Sequence, residues 1–114
     1  MRCKRTAMRA ELARTVQGKT HREIDAQAIT IGDDIAIVAV PGEPFVKIGL
    51  GIRTASPYQT TLFSGYANVG WSYIPTAEAY PLGGYEIEIT PWDPATAELI
   101  ITECLAMLDE LAAS

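Results

Sequence analysis

The chain has 114 residues, a length that allows one domain with one hydrophobic core. Its net charge of −5 argues against a nucleic-acid partner. The longest apolar run is too short to cross a membrane, and the basic N-terminus lacks the apolar stretch of a signal peptide. We therefore expect no transmembrane segment and no signal peptide in this chain.

The first 18 residues predict a helix. Alanine, leucine, methionine and arginine dominate from Arg2 to Val16, no glycine or proline interrupts them, and Gly18 is suited to end the helix. The basic residues of this segment indicate either a solvated helix face or a binding patch. The rest of the single domain, from residue 21 to 114, carries the other predicted elements.

Two strands follow, joined by a turn. Residues 21–31 alternate between apolar and polar side chains, which is typical of a half-buried strand. Gly32, Asp33 and Asp34 predict a turn. The run from Ile35 to Val40 is apolar at every position, as in a central strand covered on both faces. These two strands should form a hairpin.

A helix and a third strand come next. Pro44 is suited to a first helical turn, and the spacing of Phe45, Ile48 and Ile52 predicts a short helix to about Ala55. Residues 59–66 predict a strand. A strand, a helix and a strand of one sheet imply a right-handed crossover and a parallel pair.

The last part of the chain predicts a long loop, a strand and a helix. Residues 68–84 contain aromatic side chains, two prolines and a Gly-Gly pair, which is typical of a functional loop. Residues 85–90 alternate like a short edge strand. Asp93 and Pro94 mark the start of a final helix whose apolar face includes Cys104. The fold class is therefore α/β, a layered mixed sheet with helices packed on it.

Glu43 and Tyr73 are the first candidate site residues. Each follows an apolar strand-like run, so both should lie at one rim of the sheet, where open α/β sheets bind ligands. Glu43 would lie at the start of the short helix, where the helix dipole stabilises a carboxylate suited to bind a metal. A phenol binds a metal less commonly, because its pKa is near 10. From spacing alone, Glu43 could instead be a solvent-facing turn residue and Tyr73 a packing aromatic.

Tyr85 is the third candidate. It follows Gly83 and Gly84, whose backbone can approach a ligand closely, and a tyrosine hydroxyl can donate to an oxyanion. The alternative is a packing role, which we also expect for Tyr66 and Tyr80. The single histidine, His21, is expected at the surface, and no Ser-His-Asp triad can be built.

The two cysteines match no metal-binding spacing. We expect Cys104 to be a buried small hydrophobic residue and Cys3 to be a terminal thiol. No disulfide framework is predicted.

Over about residues 29–112, the chain resembles the neutral/alkaline non-lysosomal ceramidases and their bacterial homologues. Four short motifs, in the same order along the chain, carry the resemblance. They are Val-Pro-Gly-Glu at 40–43, Gly-Tyr-Ala-Asn at 65–68, Tyr-Ile-Pro-Thr-Ala-Glu-Ala-Tyr at 73–80 and Gly-Gly-Tyr-Glu at 83–86. The resemblance implies a zinc amidase that cleaves the amide of N-acylsphingosine. It places two zinc ligands on Glu43 and Tyr73, and it places the residue that stabilises the oxyanion on Tyr85.

The resemblance also implies that the chain is part of a larger α/β catalytic domain. The two zinc-binding histidines of the family come from an upstream part that this sequence does not contain. We therefore expect no amidase activity from the chain alone, and an upstream half of the catalytic domain as its partner. The alternative function is a small non-catalytic interaction module that binds through the basic segment or the aromatic loop.

Overall fold

The structure is a computed structural model that describes residues 1–11, 21–68 and 72–114, with the backbone pairing alone described over residues 4–11. The strands are β1 (Arg2–Glu11), β2 (His21–Ile31), β3 (Ile35–Ala39), β4 (Glu43–Pro44), β5 (Thr60–Ser64) and β6 (Tyr73–Ile74). The helices are α1 (Val46–Ala55), α2 (Tyr85–Ile89) and α3 (Thr96–Ala113), with a 3₁₀ helix over Ala77–Leu82.

The main sheet has four strands in the order β1-β2-β3-β5. The predicted hairpin of β2 and β3 is confirmed, with Ile31 opposite Ile35. The predicted parallel pair is also confirmed, because β5 runs parallel to β3 with Ile37 opposite Leu62. A second sheet consists of the short parallel pair β4 and β6. The mixed sheet with packed helices confirms the predicted fold class.

The core lies between one face of the main sheet and the helices α1 and α3. Alternate residues of β2 and β3 point into it, among them Ala28 and Val38, each with 0% of its surface exposed. Helix α1 contributes Ile48 and Ile52, and α3 contributes a buried stripe. This stripe contains Ile100, Cys104, Met107, Leu108 and Leu111. The spacing of three and four residues explains why one face of each helix is apolar.

The predicted N-terminal helix is wrong over the residues that the structure describes. Arg2–Glu11 forms β1, which pairs with β2 in antiparallel register from Arg2 opposite Thr30 to Glu11 opposite His21. Helix propensity is a weak preference that tertiary pairing overrides, and here a ten-residue strand closes the edge of β2. The remainder of the predicted helix, residues 12–18, lies outside the described residues.

The predicted strand at residues 85–90 is also wrong. Tyr85–Ile89 forms the short helix α2, preceded by Gly84 with φ of 108°. Glu86 and Glu88 lie in its first turn, where acidic side chains stabilise the positive end of the helix dipole. The segment lies against β6 as a helix, with Tyr85 in contact with Tyr73, so its alternating pattern does not produce a strand.

The loop predicted over residues 68–84 contains regular structure. Besides β6 it holds the 3₁₀ helix, and Pro81 lies inside that helix. Pro44 belongs to β4, so the prediction that it starts the helix is wrong, and α1 begins at Val46. Within the described residues, no helix has the length and apolar character needed to span a bilayer.

Candidate functional site

Glu43 and Tyr73 lie directly opposite each other in the β4–β6 pair. The backbone N–H of Glu43 donates to the carbonyl oxygen of Ser72 at 2.9 Å, and that of Phe45 donates to the carbonyl of Ile74 at 3.0 Å. In a parallel pair, side chains at matched positions lie on the same face. The structure therefore brings these two predicted residues together, at the rim where β3 and β5 end.

Gly42 allows the chain to make this approach. It has φ of 79°, and a Cβ atom there would lie 3.0 Å from the Ser72 carbonyl oxygen and 3.2 Å from Cδ1 of Ile74. Any other residue would strain the backbone and crowd the β6 segment. Glu43 consequently lies three residues before α1 begins, with Phe45 in the position before the helix. The expectation that Glu43 starts the helix is wrong.

Tyr66 joins the site, although the sequence interpretation assigned it to packing. It follows β5 by two residues, its backbone N–H donates to the Gly42 carbonyl oxygen at 2.8 Å, and 66% of its surface is exposed. A hydrogen bond to Glu43 raises the pKa of the Tyr66 phenol to about 12, with smaller effects of burial and of the Glu43 charge. The signal that could have found it is its position just past a parallel strand, the same position that identified Glu43.

The charge of Glu43 dominates the electrostatics of Tyr73 as well. It raises the pKa of the Tyr73 phenol, followed by burial and by a hydrogen bond to the same carboxylate. One carboxylate thus lies beside two phenols, which remain protonated and can donate hydrogen bonds. The carbonyl oxygen of Tyr73 accepts a hydrogen bond from Oγ1 of buried Thr90 at 2.7 Å, which ties β6 to the segment that follows α2.

Tyr85 contacts Tyr73 edge to face. Their ring centroids are 6.2 Å apart and the rings are inclined by 77°. Tyr85 is the first residue of α2 and 63% of its surface is exposed, so its hydroxyl is open to solvent beside the pair. All three predicted site residues therefore meet at one place. Tyr80, by contrast, donates its hydroxyl to the Trp92 carbonyl oxygen at 2.7 Å, which fits its predicted packing role.

A pocket of about 630 Å³ opens at this place. Glu43, Tyr66, Tyr73 and Glu86 supply its polar end. Most of the remaining lining comes from α1 and β5, including the charged Arg53 and the apolar Val46, Leu50, Leu62 and Phe63. Such a combination of apolar wall and few polar groups is typical of a ligand site.

The described residues contain no cluster of three or more His, Cys, Asp or Glu side chains that could hold a metal ion. His21 is exposed at the start of β2 and does not line the pocket. Glu43 and Tyr73 together can offer two oxygen ligands, whereas a catalytic zinc needs three protein ligands and a water. This part of the chain therefore presents an incomplete donor set.

No family model and no curated protein matches the chain. Among the solved structures that are similar to it are two of ceramidases. The neutral ceramidase from Pseudomonas aeruginosa has a TM-score of 0.70 and 29% identity over 82% of this chain. A ceramidase complexed with C2 has the same TM-score and identity over 82% of this chain. The match spans only 16% and 15% of those two chains, respectively. In fold and in sequence, this chain resembles one part of a bacterial neutral ceramidase.

Proposed function

We propose that this chain supplies part of the active site of a zinc-dependent amide hydrolase of the neutral ceramidase type. The observation that carries the proposal is the direct pairing of Glu43 with Tyr73 at the rim of the sheet. The similarity to neutral ceramidase supports the same reaction class. The substrate class is a lipid amide, in line with the apolar wall of the pocket.

Glu43 and Tyr73 would be the two zinc ligands from this chain. Zinc accepts carboxylate oxygen as a ligand, but these two side chains fill too few positions to hold it tightly. The sequence has one histidine, so the remaining ligands would come from another polypeptide segment. Bound zinc would polarise the amide carbonyl and lower the pKa of a water.

Tyr85 would donate its hydroxyl to the oxygen of the amide carbonyl as negative charge develops there. Tyr85 does not itself line the pocket, but it is exposed and contacts Tyr73, which does, and this position supports the role. Tyr73 supports the Tyr85 ring through the edge-to-face contact. We expect Tyr85→Phe to reduce turnover of a complete site about 100-fold while leaving zinc binding unchanged.

Zinc binding by the purified chain tests the ligand assignment. We expect weak binding by titration calorimetry, lost in Glu43→Gln and in Tyr73→Phe because each removes one of two ligands. Glu98→Gln is the matched control, since Glu98 is an exposed glutamate on α3 away from the pocket. Equal zinc affinity in all four proteins would overturn the assignment.

Hydrolysis of a fluorogenic N-acyl amide tests whether the active site needs residues from a second polypeptide. We expect no zinc-dependent turnover by the chain alone, and turnover when the upstream part of the neutral ceramidase from Pseudomonas aeruginosa is added. Turnover by the chain alone would show that it needs no partner. No turnover by a mixture that forms a stable complex would favour the alternative, a non-catalytic interaction module, which the exposed Tyr66 and Tyr85 also support.

A further inference from the structure

Strand β5 is an edge of the main sheet. In the order β1-β2-β3-β5, β3 covers one side of it and no described strand covers the other. Edge strands expose a row of backbone N–H and C=O groups that can pair with another chain. The open side of β5 therefore exposes backbone hydrogen-bonding groups, which the register with β3 identifies.

The parallel register shows which backbone groups face outward. Thr60 donates to the Asp34 carbonyl oxygen at 3.0 Å, and Val40 donates to the Ser64 carbonyl oxygen at 2.9 Å. Bonding groups alternate along a strand, so Thr60, Leu62 and Ser64 bond to β3. The N–H and C=O groups of Thr61 and Phe63 consequently point to the open side.

Apolar side chains flank this open side on both faces of the sheet. Val46 and Leu50 of α1 are 75% and 48% exposed and line the pocket next to β5. Leu62 is 53% exposed and points to the opposite face of the sheet. A smaller second pocket, lined by residues of α1 and by residues 59–62, continues along the same edge. We call the two pockets together the groove. The groove thus offers apolar contacts to both faces of an added strand.

Several devices that proteins use to protect an edge strand are absent from β5. Such devices include charged side chains, proline and bulges. The five residues Thr-Thr-Leu-Phe-Ser contain no charge and no proline, and their register with β3 is unbroken. Both threonine and phenylalanine favour extended backbone. The segment is consequently suited to pair with a further strand.

We propose that the open edge of β5 binds an extended segment of a different polypeptide, which adds a fifth strand to the sheet. Backbone hydrogen bonds to Thr61 and Phe63 would supply affinity, and the apolar flanks would select a segment with apolar side chains. Arg53 lines both pockets of the groove, so an acidic residue in the segment would be favoured at that position.

A second copy of this chain is a poorer occupant. Each copy carries a net charge of −5, and this like charge opposes self-association. A five-residue edge is also short for a contact between two identical strands, because stable dimers bury about 800 Å² on each partner. A segment of another polypeptide can reach beyond the edge into the groove beside α1.

Amide hydrogen exchange by NMR tests the proposal with a capped synthetic peptide of alternating valine and threonine that carries one aspartate. We expect the peptide to slow exchange about tenfold at Thr61 and Phe63, with Leu62 unchanged because its N–H already bonds to β3. A peptide N-methylated at alternate residues cannot donate and should give no protection. Protection that does not alternate, or equal protection by the methylated peptide, would overturn the proposal.

Two variants locate the binding surface. Leu62→Lys places a charge beside the edge and should weaken peptide binding about tenfold. Leu82→Lys is the control, since Leu82 is 84% exposed and lines neither pocket. Equal binding by both variants would contradict the proposed edge. Protection of Thr61 and Phe63 that rises with protein concentration in the absence of peptide would make a second copy the occupant and would overturn the choice of a different polypeptide.

Discussion

Glu43 is the residue on which the candidate site depends. Its carboxylate lies beside the phenols of Tyr66 and Tyr73 and raises the pKa of both. Each phenol hydroxyl can donate a hydrogen bond to this carboxylate. A cation bound at the same carboxylate would compete with the phenols for its oxygens.

At the residue scale, we predict that Glu43→Gln lowers the pKa of Tyr66 from about 12 towards the ordinary value of 10.0. The carboxylate favours the protonated phenol, and the amide carries no charge to do so. Ultraviolet absorbance of the phenolate, followed against pH in metal-free protein, measures the shift.

Tyr66→Phe is the control for that titration, because it should remove the late phenolate step. The sign for stability follows from the raised pKa: the Tyr66–Glu43 hydrogen bond stabilises the fold fully below pH 10 and is lost as pH rises through about 12. An unchanged titration of Tyr66 in Glu43→Gln would contradict the contact.

At the scale of elements, a glycine of α1 allows this helix to pack closely against β5. Its Gly49 faces Phe63 of β5, and a Cβ atom there would lie 2.7 Å from Cδ1 of the ring. A helix normally favours alanine over glycine by about 1 kcal/mol. The glycine is therefore explained by packing between α1 and β5.

We predict that Gly49→Ala destabilises the protein by about 1 kcal/mol, because crowding against the Phe63 ring outweighs the gain in helix propensity. Gly51→Ala in the same helix should instead stabilise by up to about 1 kcal/mol, since its Cβ would meet only the flexible Cδ1 end of Ile101 at 3.3 Å. Urea unfolding measures both free energies. Changes of the same sign and size would contradict this explanation.

At the scale of the whole molecule, burial separates the two cysteines. Cys3 is exposed on β1, whereas Cys104 is fully buried between α3 and the sheet. Burial raises the pKa of the Cys104 thiol to about 12, with a smaller effect of the Glu103 charge. The predicted burial of Cys104 is confirmed, and the terminal thiol of Cys3 lies within a strand.

We predict that a thiol reagent modifies Cys3 and spares Cys104 in the folded protein at neutral pH, because the thiolate is the reactive form. Mass spectrometry should find one modification per folded chain and two after unfolding in urea. Cys3→Ser should leave the folded chain unmodified. Rapid modification of Cys104 under native conditions would contradict the closed core.

Tertiary packing also explains why two predictions of secondary structure are wrong. The N-terminal segment has helix-forming residues, but β2 has a second side opposite β3, and Arg2–Glu11 pairs along nearly its whole length. Residues 85–89 alternate like a strand, yet they lie against β6 as a helix. In both cases contacts outside the segment outweighed its local pattern.

The amino-acid sequence by itself determined the β2–β3 hairpin, the helix α1 that follows β3 and the apolar stripe of α3. These follow from periodicity and from the glycine and proline positions, which act locally. Only the tertiary structure decided that residues 2–11 are a strand, that Glu43, Tyr66 and Tyr73 meet, and that no described strand covers the outer side of β5. Each of these depends on contacts between segments far apart in the chain, and local patterns do not encode which segments will meet.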